Sequence, residues 1–151
     1  MKEISKSEVF SFTNEHCSFV PYSWLYDNGK MLPIAFKVVT QDLKSLGLAG
    51  NPNILCFNHY GWTSLPDLKI VVGKSDYGGI WSTIEKSEAG GLRNYMKNKH
   101  NIETRVFLVA LENPVYANNR RTKSQGVLLL DEVFSRKSFL MKSNDINKNE
   151  E

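Results

Sequence analysis

This chain is short of cysteine, has no long apolar run and carries no large surplus of either charge. Only Cys17 and Cys56 occur in its 151 residues. Two cysteines cannot build a disulfide framework, so reduced, partly buried thiols are expected. No apolar stretch nears the ~20 residues that span a bilayer. The opening Met1-Lys2-Glu3-Ile4-Ser5-Lys6 lacks the apolar core of a secretory signal. A cytoplasmic address with no membrane partner is the expectation. Nineteen Lys and Arg stand against sixteen Asp and Glu, a net charge of +3, which a solvated mixed-sign surface explains. Nucleic acid is compatible with that balance, but no recognised binding motif supports it. Also missing are Gly-x-Ser-x-Gly, a P-loop, Gly-x-Gly-x-x-Gly and His-Glu-x-x-His. The residues alone therefore point to no cofactor and no reaction.

What is present describes an ordinary globular domain. The chain is 41% apolar and 23% charged, within the usual range, and long enough to bury one core. We expect an α+β fold: a single domain over residues 1–141, with a mixed or antiparallel sheet packed on one main helix. Residues 142–151 are polar and read as a disordered tail. Strands are expected at Val9–Thr13, Ile34–Thr40, Ile54–Phe57, Leu68–Val72 and Gly126–Leu130. The strongest is Arg105–Leu111, whose unbroken apolar run suggests a central strand buried on both faces. Asn28-Gly29 is a turn signal. Asp42–Leu48 reads as a short helical turn broken by Gly50-Asn51-Pro52. Ser82-Thr83-Ile84-Glu85 has the capping-box pattern and predicts a helix to about Asn98 with Ala89, Leu92 and Met96 on one face. Gly90 and Gly91 inside that helix suggest that backbone, side chain or ligand approaches it closely.

Three constellations carry chemistry. His16, Cys17, Cys56 and His59 are the ligand types of a structural zinc site. His16 and Cys17 are adjacent, however, and neighbours on an extended chain point apart, so two separate thiols and no metal are the plainer reading. Asn118-Asn119-Arg120-Arg121-Thr122-Lys123-Ser124 reads as a basic loop. With Arg93, Lys97, His100 and Arg105 nearby, its guanidinium groups are suited to holding a phosphate in two-point fashion, or to nothing beyond solvation. His59, Tyr60 and Trp62 either close over a core edge or stack a ring. Glu112, Asp131 and Glu132 follow strands, where an acid or base can stand, though such carboxylates are usually just solvated.

The order Phe36-Lys37-Val38-Val39, Gly79-Ile80-Trp81-Ser82-Thr83, a helix with Ala89 and Tyr95, the strand Arg105–Leu111 and Pro114-Val115-Tyr116 resembles part of an ADP-ribosyltransferase scaffold. The resemblance spans about residues 34 to 130. It implies NAD bound in a cleft between two small sheets. Lys37 stands where the family's first strand carries His or Arg, and Ser82 with Thr83 matches the second element. Gln125-Gly126-Val127 lacks the catalytic Glu, so the resemblance implies Glu132 in a shifted register. The layout, with Lys123 beside Ser124 before the last strand, is also similar to small uncharacterised phage and bacterial domains, which imply no activity.

The reading that follows is a non-enzymatic module binding a nucleotide-like or phosphate-bearing ligand, or a protein partner. Its site would lie between Trp81-Ser82-Thr83, the helix start and Arg120-Arg121, with Lys37, Arg105 and Lys123 contributing. An ADP-ribosyltransferase-like enzyme using NAD and Glu132 is one alternative. An inhibitory or structural protein-interaction domain is the other.

Overall fold

The computed structural model describes residues 3–5, 10–48, 54–66 and 78–134. Its elements run β1 (Glu3–Ser5), β2 (Phe12–Thr13), β3 (Ser18–Phe19), β4 (Ser23–Asp27), β5 (Lys30–Thr40), β6 (Trp62–Ser64), β7 (Ile80–Thr83), α1 (Lys86–His100), β8 (Thr104–Ala117) and β9 (Arg121–Val133). Among the described residues every strand pair is antiparallel and the sheet dominates the one helix there. Among the described residues no helix is long and apolar enough to cross a membrane.

Two hairpins supply the frame. Asn28 and Gly29 have φ of 52° and 76°, the paired left-handed conformation that matches strand twist in a two-residue turn. They join β4 to β5 with Asp27 opposite Lys30. The second hairpin is longer, β8 and β9 pairing from Val106↔Val133 to Ala117↔Thr122. It turns over Asn118, whose side-chain oxygen accepts the amides of Arg120 and Arg121, each at 2.8 Å.

The strands then close on themselves. β8 pairs β5 along Ile34↔Ala110 to Thr40↔Thr104, and β9 pairs β7 through Arg121 to Ser124. β7 returns to β5 with Thr83 opposite Phe36. The circuit β5–β8–β9–β7–β5 is a small rolled sheet, and its narrowest join is β5 to β7. Thr83 Oγ1 reinforces that join by donating to the Phe36 carbonyl at 3.4 Å.

Rolling explains why β5, β8 and β9 are apolar on both faces although they are antiparallel. Ala35, Val39, Phe107, Val109, Leu111, Val127 and Leu129 share the largest core cluster with Ile80, Ile84 and Phe57. The alternate residues Phe36, Val38 and Val106 pack with Ala89 of α1. Fully burying a side chain such as Phe36 or Phe107 stabilises by roughly 2–3 kcal/mol, and both are essentially inaccessible.

Several local expectations are corrected. Ser82 and Thr83 are strand residues, and α1 starts at Lys86 after Glu85, which makes no side-chain cap. The capping-box pattern lost because Ile80-Trp81-Ser82-Thr83 is extended by its pairing to β9. The helix ends at His100 with Asn101 left-handed at φ 55°. Asp42–Gly47 is not helical: Leu43 adopts φ 62°, and the Lys44 amide bonds to Thr40 Oγ1 at 2.9 Å. Ile54–Phe57 is no strand, contributing an isolated bridge from Cys56 to Lys44. Of Val9–Thr13, β2 keeps Phe12 and Thr13. The expected basic loop is mostly strand, with Arg121, Thr122, Lys123 and Ser124 all in β9. Nothing crowds the helical glycines: a Cβ on Gly90 would lie 3.8 Å from the Phe134 ring, an ordinary contact, and one on Gly91 would meet open space. The expected strand at 68–72, the break at 50–52 and the tail at 142–151 lie outside the described residues.

Candidate functional site

The four described arginines separate into three that are engaged and one that is not. Arg105 donates Nε and Nη2 to the two carboxylate oxygens of Glu132 at 3.1 and 2.8 Å, and its guanidinium carbon lies 5.2 Å from the Phe107 ring centroid. The fork holds Arg105 more firmly protonated than a free arginine, chiefly through its hydrogen bonds to Glu132. Arg120 pairs with Glu88 in the first turn of α1 at 3.0 Å. Arg93 stacks over Phe134 at 5.5 Å. Arg121 is exposed and meets no carboxylate within ion-pair distance among the described residues.

The positive charge of Arg121 is felt by the Lys37 amine of β5. Lys37 occupies the same face of β5 as Ala35 and Val39, which belong to the main core cluster. Its stem turns inward and its Nζ donates to the Trp81 carbonyl. Where β5 and β7 diverge from their Phe36↔Thr83 pairing, this ammonium satisfies a carbonyl that a neighbouring strand would otherwise take. Lys37 Nζ also lies 5.3 Å from the Phe57 ring centroid. Burial, aided by the positive charge of Arg121, lowers the Lys37 pKa to about 8. Both causes act in one direction because a desolvated amine beside a cation resists taking a proton.

Lys123 lies next along β9 but one. It is fully buried, in register with both Trp81 and Tyr116, and its Nζ is 5.9 Å from the Trp81 ring centroid. Trp81 and Tyr116 meet edge to face at 5.7 Å. Gly79 makes room for the lysine stem: a Cβ there would fall 2.4 Å from Lys123 Cγ. Trp81 is thus the meeting point, its backbone bound by Lys37 and its ring shared by Lys123 and Tyr116.

The helix start is not part of this arrangement. Glu85 precedes α1, Glu88 lies in its first turn, and Arg120 is already neutralised there. The helix start, one edge of the site expected from the sequence, thus carries two carboxylates, Glu85 and Glu88. An open groove of about 370 Å³ beside the same turn is lined by Phe19, Ile84, Glu85, Asn118 and Asn119, and holds none of the candidate ligand-binding side chains.

Of the residues singled out in the sequence, Lys37, Trp81 and Lys123 come together, while Arg121 lies two residues before Lys123 on β9, opposite Thr83. Arg105 and Arg120 do not join them, each being tied to a carboxylate elsewhere. Ser82 is buried and its Oγ has no hydrogen-bond partner, whereas Thr83 is spent on the β5–β7 join. Glu132 is occupied by Arg105 near the far end of β9 from the Ser82↔Thr122 and Thr83↔Arg121 pairs. His16, Cys17, Cys56 and His59 form no group able to hold a metal ion among the described residues. Burial raises the Cys17 thiol pKa. His59 lies edge-on to Phe107 at 5.8 Å, and Tyr60 projects from its turn at 92% exposure, so that aromatic group does not close over the core as a unit.

Phe57, Gly79 and Tyr116 were missed as site residues. Gly78-Gly79 before an apolar strand was a visible sign of close packing. Nothing local marks Phe57 or Tyr116, which reach the site through pairing. No family model, no curated protein and no solved structure matches this chain.

Proposed function

We propose that the protein is a binding module, without catalysis, for a phosphate-bearing or nucleotide-like anion held by Arg121 at the turn end of β9. The single observation behind this reading is Arg121, an exposed guanidinium at the turn end of β9 with no carboxylate within ion-pair distance among the described residues. Arg121, exposed and uncommitted, supplies the two-point fork that matches phosphate oxygens. Lys37, on the other face of β5, adds positive charge at longer range.

The experiment is a thermal-shift and NMR titration with phosphate, pyrophosphate, ADP, ADP-ribose and NAD. Ligand at about 100 times its dissociation constant adds about 2.7 kcal/mol. The expected result is a stabilisation that weakens with salt, disappears in Arg121→Ala and survives in Arg105→Ala. Equal binding by both variants sinks the assignment to Arg121. A response to NAD alone that also requires Glu132 moves the reading to the transferase-like enzyme. A flat panel moves it to a protein partner.

A further inference from the structure

The inner face of the rolled sheet holds an amine and a hydroxyl among apolar side chains, beside the narrow β5–β7 join. We propose that Lys37 and Ser82 bind a small monovalent anion of chloride size there, on the face of the sheet opposite to Arg121.

Strand alternation places both side chains. Ala35 and Val39 belong to the main core cluster, and so do Ile80 and Ile84. Lys37 stands between the first two and Ser82 between the second two, so both point to the same interior. The Lys37 ammonium donates to the Trp81 carbonyl, which belongs to the peptide group leading into Ser82. Phe57, of the same cluster, covers the ammonium at 5.3 Å from its ring centroid. Thr122, across from Ser82 on β9, is also fully buried, but its hydroxyl already donates to the Tyr116 carbonyl at 2.9 Å. Arg121 pairs with Thr83 and therefore lies on the outer face.

Both inward groups are donors short of an acceptor. Ser82 is 4% exposed and its Oγ has no hydrogen-bond partner among the described residues, whereas buried hydroxyls are normally bonded. The ammonium has N–H donors beyond the one given to Trp81, and no carboxylate within ion-pair distance among the described residues. Buried charge is normally paired. A Lys37 pKa of about 8 leaves the amine mostly charged at neutral pH, so the demand for a counter-ion persists there. The acceptor that serves both donors and also balances the charge is an anion. Enclosure by the Phe57 ring and the β7 backbone favours one compact ion over a phosphate. Lys37 as a residue is only partly buried, so the route in runs along its stem.

The test measures ³⁵Cl line broadening and thermal unfolding of the intact protein at neutral pH, with chloride replacing gluconate at constant ionic strength. The expected result is excess broadening and a rise in melting temperature of roughly 3–6 °C at about ten times the dissociation constant. Ser82→Ala removes an unbonded hydroxyl, so it is expected to fold like the wild type. It should bind chloride about tenfold more weakly, the loss of one hydrogen bond to a charged group. Lys37→Met should abolish the response and Arg121→Ala should preserve it. Should Lys37→Met fail to fold, the wild type and Ser82→Ala decide the matter. Wild-type spectra and melting temperatures indifferent to chloride overturn the proposal and leave the two donors to ordered water only. An affinity unchanged in Ser82→Ala overturns it as well, as does a response lost in Arg121→Ala. Phosphate binding at Arg121 is a separate result on the outer face, and each reading can fail without the other.

Discussion

The two ends of the β8–β9 hairpin carry the same residue type in opposite electrostatic settings. At the open end Arg105 is gripped by Glu132 through two hydrogen bonds and lies against Phe107. At the turn end Arg121 meets no carboxylate within ion-pair distance among the described residues, and its charge reaches the Lys37 amine. Because the sheet is rolled, both ends return to β5: Lys37 pairs with Phe107 across β8, and Thr83, opposite Arg121, pairs with Phe36. One end is neutral and closed, the other positive and unfilled. A guanidinium alone is therefore no sign of a binding site; what matters is whether the fold has already provided its anion.

The comparison breaks most severely at the residue that supports both ends. Phe107→Ala empties the centre of the core and is expected to cost about 3–5 kcal/mol, read by chemical denaturation. Next is the pH response of the turn end. The native Lys37 pKa of about 8 lies below the ~10.4 of an unfolded lysine. Between those values the unfolded chain binds the extra proton, so wild-type stability rises with pH, by up to about 3 kcal/mol across the window. Lys37→Met is expected to lack that rise. Parallel stability curves for the two proteins from pH 7.5 to ~10.4 would remove Lys37 as a strained cation.

Smaller effects sharpen the contrast. Arg121→Ala is expected to weaken phosphate binding about tenfold or more, equivalent to about 1.4 kcal/mol, while leaving the melting temperature without ligand unchanged or slightly higher. Arg105→Ala should do the reverse, lowering stability by about 1 kcal/mol because Glu132 loses its partner, with anion binding intact. Matching phosphate isotherms across those two variants would erase the distinction between the ends. Arg120→Ala should change stability by about 0.5 kcal/mol or less, since its pair with Glu88 is a solvent-exposed contact of a weak class. Urea midpoints resolve that difference.

Signals confined to neighbouring residues were readable. Asn28-Gly29 closes a hairpin because both residues tolerate positive φ. The apolar run from Arg105 to Leu111 is a central strand, and Gly126–Leu130 does lie within its partner. The helix was placed but entered too early, since Ser82-Thr83-Ile84-Glu85 satisfies a capping pattern equally well as the end of a paired strand. The basic segment was seen, but its division into a neutralised Arg120, a free Arg121 and a buried Lys123 was not. That division depends on Glu88, Lys37 and Gly79, none of them a sequence neighbour.

By itself, then, the sequence determined the elements whose stability is local: a two-residue turn, strands of apolar and β-branched residues, and one amphipathic helix. Only the tertiary structure decided that the sheet closes, that Arg105 meets Glu132 27 residues away, and that Lys37 reaches the Trp81 carbonyl 44 residues away. Turn and strand preferences act over a few residues through backbone sterics. Charge pairing and desolvation act through space, and no local pattern encodes which side chains a rolled sheet will bring face to face.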